Sequence, residues 1–278
     1  MPGRLPYLLK LSRPRFWLYL AGPVAVGVAY GATSTDDLFT PTTLALFAFF
    51  LLPANVLLYG VNDVFDSEVD EENPKKAGKE VRFDGDRTVL WAVGLSALSG
   101  LFLVPFLPLE SLVWLAGFYV LGVQYSAPPF RFKTTPLLDS VSNGLYLMPG
   151  AAAYAAVAGG HPPLLAVAGA WFWTMAMHTF SAIPDIDPDR RAGIRTTATA
   201  LGESRTYAYC AVCWALAALS FALLDPQLGA LFSVYVPFVA LIALSSIDVE
   251  RAYWWFPALN TVVGALLTMG GLWVLVHG

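Results

Sequence analysis

Charge is scarce in this chain of 278 residues. Asp, Glu, Lys and Arg make up 13% of it and apolar types 57%, whereas a soluble domain has about 25% charged and 45–50% apolar residues. That balance excludes an ordinary water-soluble domain. The net charge of −4 points to no nucleic-acid partner, and no other feature of the sequence does. Cysteine is almost missing: Cys210 and Cys213 form one C-x-x-C inside an apolar stretch. A redox or metal motif would need a second pair or a thioredoxin-like setting, so these two read as small buried residues. Histidine occurs three times and never as a pair, which disfavours zinc. No small-residue cleavage site follows the start "MPGRLPYLLKLSRPRFW", so a signal peptide is not expected.

What the chain does have is apolar blocks long enough to cross a hydrocarbon slab of about 30 Å as helices. Nine spans are expected, at about 15–32, 42–61, 88–107, 110–126, 138–158, 163–183, 206–224, 228–247 and 254–276. All 16 Lys and Arg fall before span 1 or in the links 2–3, 4–5, 6–7 and 8–9, while the opposite links hold only Asp36, Asp37, Glu110 and Asp225. By the positive-inside rule the N-terminus is cytoplasmic and the C-terminus outside. The expectation is an all-α, multi-pass cell-membrane protein, one domain over 1–278, with cytoplasmic active-site loops at about 62–87 and 184–205.

Two acidic clusters lie on that basic face. The first, "NDVFDSEVD", places Asn62, Asp66 and Asp70 four apart along one helical stripe, with Asp63 joining the same side. The second, "IPDIDPDRRAG", offers Asp185 and Asp189 with Asp187 between them, and is expected to end span 6 as the first ends span 2. A solvated cap is the ordinary reading of acids at a helix end. Three costs oppose it. Carboxylates at a helix C-terminus face the negative end of the dipole, pairs four apart repel, and Asp within a membrane costs about 2.5–3.5 kcal/mol, less near the interface. A bound cation would offset all three. The ligands are hard oxygens, which suits Mg²⁺, with Mn²⁺ and Ca²⁺ as alternatives. Mg²⁺ commonly shares its shell with substrate phosphates. The nearby basic residues Lys75, Lys76, Arg131, Lys133, Arg190 and Arg195 would suit a diphosphate.

With these residues in view, the chain resembles the UbiA superfamily of intramembrane prenyltransferases. N-D-x-x-D-x-x-x-D after span 2, D-x-x-x-D after span 6, "SRPRF" in span 1, "YSAPPFRFK" after span 4 and "IPDIDPDRRAGIRTTATALG" carry the likeness over nearly the whole chain. The resemblance implies a nine-helix bundle around a central cavity, with Mg²⁺ bridging the acids and the diphosphate of an allylic donor. By position it gives metal and diphosphate roles to Asn62, Asp66, Asp70, Asp185 and Asp189. Asp63 belongs to the same catalytic motif with a less fixed role. Arg13, Tyr125, Arg131 and Lys133 match its accessory motifs at the substrate. Pro188 departs from the second motif, because proline disfavours helical geometry at the preceding Asp187 and removes a backbone donor.

The implied reaction is ionisation of the allylic diphosphate, with the cation kept from water. Tyr59, Tyr125, Tyr146, Trp171, Trp173 and Phe180 are candidate aromatic faces for it, against the plainer reading of packing. His178, two turns before Asp185, is either a late proton acceptor or a hydrogen-bonded helix histidine. The whole pattern looks most like the archaeal lycopene elongases of that superfamily. Their hydrophobic acceptor, lycopene or a related carotenoid, attacks through a terminal alkene, and water or proton loss then quenches the tertiary cation. Alternatives are a geranylgeranylglyceryl-phosphate or quinone-precursor acceptor within the class, and outside it a divalent-cation transporter. A transporter would favour acids near the midplane rather than beside Lys and Arg at one face.

Overall fold

The computed structural model describes residues 4–70 and 85–278, which are helix and turn with no strand among the described residues. Along the chain run α1 (Arg4–Leu11), α2 (Trp17–Gly31), α3 (Pro41–Leu51), α4 (Pro53–Asp70), α5 (Arg87–Leu101), α6 (Leu109–Ser126), α7 (Leu138–Val141) and α8 (Met148–Ala158). There follow α9 (Leu164–Ser181), α10 (Ile186–Arg191), α11 (Thr197–Leu201), α12 (Glu203–Ala222), α13 (Pro226–Ser233), α14 (Tyr235–Leu244) and α15 (Val249–His277). Helix covers each expected apolar block. Among the described residues, four stretches are long and apolar enough to cross a membrane by length and composition: Pro41–Phe65, Arg87–Phe106, Pro226–Leu244 and Val249–His277.

The chain forms two compact units. The first is Met1–Phe130 with Pro149–His161 and Gly271–Gly278, and the second is Arg131–Met148 with Pro162–Gly270.

In the first unit, α4 packs against α1, α3, α5 and α6. Span 2 is two helices rather than one, because Pro53 cannot donate to the ladder it would continue. Buried Asn55 answers the break, its amide donating to the carbonyls of Phe50 at 2.9 Å and Leu51 at 3.0 Å. Beyond that repair α4 runs on to Asp70 and carries the first acidic motif. Elsewhere in this unit α2 meets α8 through backbone. A Cβ on Gly27 would collide with the Gly150 carbonyl oxygen, and one on Gly31 would lie 2.9 Å from that of Tyr154. Small residues one turn apart let apolar helices approach this closely. The link from α2 to α3 is fixed by Asp37, whose carboxylate accepts from the N–H groups of Thr33 and Ser34 at 2.9 Å each and from the Thr33 hydroxyl at 3.1 Å. Those bonds, the Thr33 N–H foremost, hold its pKa below the ordinary value.

In the second unit, α12 packs against α9, α13 and α14. Its core is aromatic: Phe180, Trp214, Tyr235 and Phe256 are sealed from solvent. Trp214 stacks on Tyr235 at 5.4 Å between centroids, and Phe180 lies 4.8 Å from Phe256. The Tyr235 hydroxyl donates to Asn260 Oδ1 at 2.8 Å, which satisfies that buried hydroxyl, whereas Trp214 Nε1 is buried with no hydrogen-bond partner among the described residues. The start of span 5 also departs from a single helix. α7 is one turn long, and a 3₁₀ turn over Ser142–Tyr146 follows. The Asn143 amide takes the Asp139 carbonyl at 2.6 Å and Ser142 Oγ shares it at 3.3 Å, so side chains compete for an acceptor that a regular helix would use.

Candidate active site

The two acidic motifs are held by different backbones. In the first unit, α4 presents Asn62 half-buried and Asp63 buried. The side chains of Asp66 and Asp70, and the whole of Lys75, lie outside the described residues. The helix itself places positions 62, 66 and 70 on one face. Asp63 Oδ1 accepts from Arg13 Nη2 at 3.2 Å, with side-chain exposures of 3% and 19%. The Arg13 guanidinium also lies over the Tyr59 ring, 4.6 Å from its centroid. Arg13 sits in the left-handed region at φ 50, a backbone state that costs a non-glycine residue of order 1–3 kcal/mol. The S-R-P-R-F motif thus binds the acidic motif through a partly buried ion pair. Ser126, in the Y-S-A-P-P motif at the end of α6, donates to Asn62 Oδ1 at 2.9 Å. Its neighbour Tyr125 is half-buried.

In the second unit the motif breaks its span. α9 ends at Ser181, a 3₁₀ turn covers Ile183–Asp185, and α10 begins at Ile186. The expectation that Asp185 and Asp189 close the helix of span 6 is therefore corrected. Asp185 is the N-cap of α10, and Asp187 and Asp189 fall in its first turn. Neither proline interrupts a helix interior. Pro184 lies in the 3₁₀ turn and Pro188 in the first turn of α10, where a missing N–H costs least. Asp185 and Asp189 are half-buried, while Asp187 is exposed.

The basic residues divide in the same way. Arg190 Nε and Nη2 donate to the Thr199 carbonyl at 3.3 and 2.9 Å, tying α10 to α11, and its Nη1 lies 3.9 Å from Asp187. Arg190, expected at the substrate, thus commits much of its guanidinium to the fold. Arg195 is exposed, and Arg131 and Lys133 are half-buried beside a 3₁₀ turn whose N-cap, Arg131, is left-handed at φ 42. Two aromatic candidates are reassigned to packing. Phe180 belongs to the sealed core, and Trp171 donates to the Val141 carbonyl at 2.8 Å across Gly144. His178 lies on α9, half-buried, with Nε2 3.9 Å from Asp139 Oδ2.

Sequence reasoning misses Asp139 and Thr197. The Asp139 carboxylate accepts the Thr197 N–H at 2.9 Å and a short bond from its hydroxyl. The same hydroxyl oxygen accepts from the N–H of Leu137, which is left-handed at φ 71. A signal exists in "TTAT". Thr196 Oγ1 accepts from the Thr199 N–H, and Thr199 Oγ1 from the Thr196 N–H. This capping box starts α11 and leaves the Thr197 N–H pointing out of the helix start.

The chemistry of each motif fits a hard cation. Asn62, Asp66 and Asp70 in the first unit, and Asp185 and Asp189 in the second, are amide and carboxylate residues with no sulfur or imidazole among them. Among the described residues no three His, Cys, Asp or Glu stand together as a self-sufficient metal cage. One or two carboxylates with substrate phosphates is the arrangement Mg²⁺ ordinarily accepts.

The profile of the UbiA prenyltransferase family matches residues 20–254. The chain is 64% identical to the lycopene elongase/hydratase of Haloferax volcanii over 99% of its own length and 91% of that protein's. It is 59% identical to the lycopene elongase/hydratase of Halobacterium salinarum over 98% and 99% of the two chains. Among solved structures it is similar to a UbiA homolog from Archaeoglobus fulgidus bound to DMAPP and Mg²⁺, with a TM-score of 0.75 at 18% identity over 98% of this chain and all of the other. That likeness shows the fold.

Proposed function

Because the chain belongs to the UbiA prenyltransferase family, and is a prenyltransferase, we propose that it transfers a dimethylallyl group from its diphosphate to lycopene or a related carotenoid. What carries the choice of acceptor is near-full-length identity of 64% to a lycopene elongase/hydratase. We further propose nine membrane crossings, with the N-terminus and both acidic motifs on the cytoplasmic side, from the segregation of every Lys and Arg to that face.

Asn62, Asp66 and Asp70 from one motif and Asp185 and Asp189 from the other would hold Mg²⁺ and, through it, the donor diphosphate. When bound, Mg²⁺ would neutralise charge on the departing diphosphate. Arg131, Lys133, Arg195 and Lys75 add hydrogen bonds to its oxygens. Arg13 acts one step removed, because its guanidinium is committed to Asp63 and steadies the helix turn that bears Asn62. Ser126 orients Asn62 by occupying one lone pair of its amide oxygen. The C–O bond of the donor breaks, and the electrons stay on diphosphate. The terminal alkene of the acceptor then supplies the pair for the new C–C bond, leaving a tertiary cation. No general base is required for that attack, since an alkene has no proton to lose before it reacts. Water completes the product, in keeping with the hydratase in the relatives' names.

Purified protein with Mg²⁺, dimethylallyl diphosphate and lycopene should yield products heavier by one and by two five-carbon units, each with one added water, read by mass spectrometry. Product from geranylgeranyl diphosphate and a glyceryl phosphate, with none from lycopene, would overturn the carotenoid acceptor. Ion flux in liposomes without any donor would point to a transporter.

A further inference from the structure

In the second unit, Leu137 holds a backbone state that costs energy. Its φ is 71 and its ψ −42, a region that a bulky side chain rarely adopts. The residue is 54% exposed, so packing does not hold it there. Such a state persists only where its surroundings impose it, and such states cluster at ligand clamps. Here the constraint is Thr197. Its hydroxyl oxygen accepts the Leu137 N–H at 2.7 Å, and its hydroxyl proton goes to the buried Asp139 carboxylate. The Thr197 N–H meets the other oxygen of that carboxylate at 2.9 Å. A threonine hydroxyl has one proton to give and lone pairs to receive with, and this one uses both. Asp139 is itself well anchored. Its neighbour Ser140 accepts from Thr179 Oγ1 at 2.8 Å and donates to the Met175 carbonyl at 3.2 Å, both on α9.

The two segments that meet at this hydroxyl both carry residues assigned above to the diphosphate. On one side, the stretch Arg131–Leu137 bears Arg131 and Lys133 and has a left-handed residue at each end, Arg131 at φ 42 and Leu137 at φ 71. Within it, Thr134 bonds back to the Arg131 carbonyl through its N–H and its hydroxyl, each at 3.0 Å. On the other side, Arg190 ties α10 to the Thr199 carbonyl of α11. The Ile194 N–H donates to the Asp189 carbonyl at 2.8 Å. The turn and helix that bear Asp185 and Asp189 are therefore joined to Thr197 by short, bonded steps. We propose that Thr197 is a positioning residue for the donor diphosphate. Its hydroxyl latches the loop of Arg131 and Lys133 to the segment of Asp185 and Asp189, and so sets the basic groups in register with the acidic ones. Asp139 serves the same end, because by taking the hydroxyl proton it leaves a lone pair for the Leu137 N–H. The latch rests on the diphosphate roles proposed above and not on the identity of the acceptor.

Thr197→Val keeps the shape and removes both bonds of the hydroxyl, whereas Thr197→Ser keeps them. The probe is inorganic diphosphate with Mg²⁺, titrated calorimetrically into the full chain in detergent. In Thr197→Val its Kd should rise at least about tenfold, since a misplacement of about 1 Å can cost about 100-fold and a loosened loop less. The KM for dimethylallyl diphosphate should rise with it, while that for lycopene stays within about twofold, a loss of donor binding alone. Thr197→Ser should restore the wild-type Kd. Ser140→Ala loosens α7 from α9 without touching the Thr197 hydroxyl, and should lower the unfolding temperature with the Kd unchanged. Should Thr197→Val fail to fold, Leu137→Pro breaks the latch from its exposed end, removing the N–H and forbidding the positive φ, and should raise the Kd likewise. An unchanged Kd in the folded variant overturns the assignment. So does a rise that Thr197→Ser fails to reverse, or an equal rise in Ser140→Ala. A wild type that binds no diphosphate with Mg²⁺ overturns the diphosphate roles and the latch together. Diphosphate binding without turnover of lycopene overturns the carotenoid acceptor, and the Kd comparison still decides the latch.

Discussion

The acidic motif on α4 and the one at α10 have the same spacing of four and opposite electrostatic settings. Asp66 and Asp70 occupy the last described turns of a helix of 18 residues, where the dipole is unfavourable to negative charge. Asp185, Asp187 and Asp189 stand at the N-terminus of a helix of six residues, where it is favourable. The dipole cost that argues for a cation in the sequence thus applies to the first motif and not to the second. The flanking aspartates differ too. Asp63 is buried and paired with Arg13, whereas the Asp187 side chain is 80% exposed and 3.9 Å from Arg190. One motif is built into its unit by an ion pair, and the other is presented by a turn.

The largest test asks whether these different settings serve one chemistry. Asp66→Ala and Asp185→Ala should each lower turnover at least about 100-fold, the scale on which groups that stabilise developing charge are felt. Both proteins should elute as folded material. A near-wild-type rate in either would remove that motif from the diphosphate site and split the pair.

A smaller effect should separate the motifs by stability. Arg13→Ala leaves Asp63 buried without its guanidinium, and breaking a buried pair from one side costs about 3–5 kcal/mol. Thermal unfolding in detergent should show a clear drop, larger than for Arg190→Ala, whose partners are a carbonyl and an exposed acid. Equal drops would mean that the first motif is no more built-in than the second.

The two motifs are also unequally legible. Apolar blocks of about 17 residues or more announce helices whatever lies beside them, so the placement of α4, α5, α9, α12 and α15 can be read directly. The repair at Pro53 cannot, because it depends on Asn55 turning back to two carbonyls of the preceding helix. The spacing of Asp185 and Asp189 suggests a helical stripe, yet Pro184 and Pro188 bracket a new helix start, and the proline signal outweighs the acid spacing. Asp139 is invisible for another reason. A lone acid in an apolar run has no periodicity, and its partner Thr197 is 58 residues away. The Asp63–Arg13 pair spans 50 residues, though both ends lie in motifs that the family resemblance marks. Local chemistry is readable; pairings across long loops are not.

The smallest expected effect sharpens the contrast most directly. Asp187 and Asp63 are each the extra acid of their motif, one between and one beside the ligand positions. If motif membership alone mattered, Asp187→Ala and Asp63→Ala would behave alike. Their surroundings argue otherwise. The Asp187 side chain is exposed and its ion pair with Arg190 is at the limit of contact, so its truncation should cost less than about 1 kcal/mol. Turnover should stay within about threefold, since surface changes of this kind rarely exceed about 0.5 kcal/mol. Arg190 keeps its bonds to the Thr199 carbonyl, so α10 and α11 stay tied. Asp63→Ala removes the carboxylate that pairs with the partly buried Arg13 guanidinium and should be felt in unfolding more than Asp187→Ala. Measuring both variants side by side, by rate and by unfolding, distinguishes an acid that serves the fold from one that serves neither fold nor substrate. A large loss of rate with intact stability in Asp187→Ala would instead make Asp187 a third ligand of the second motif.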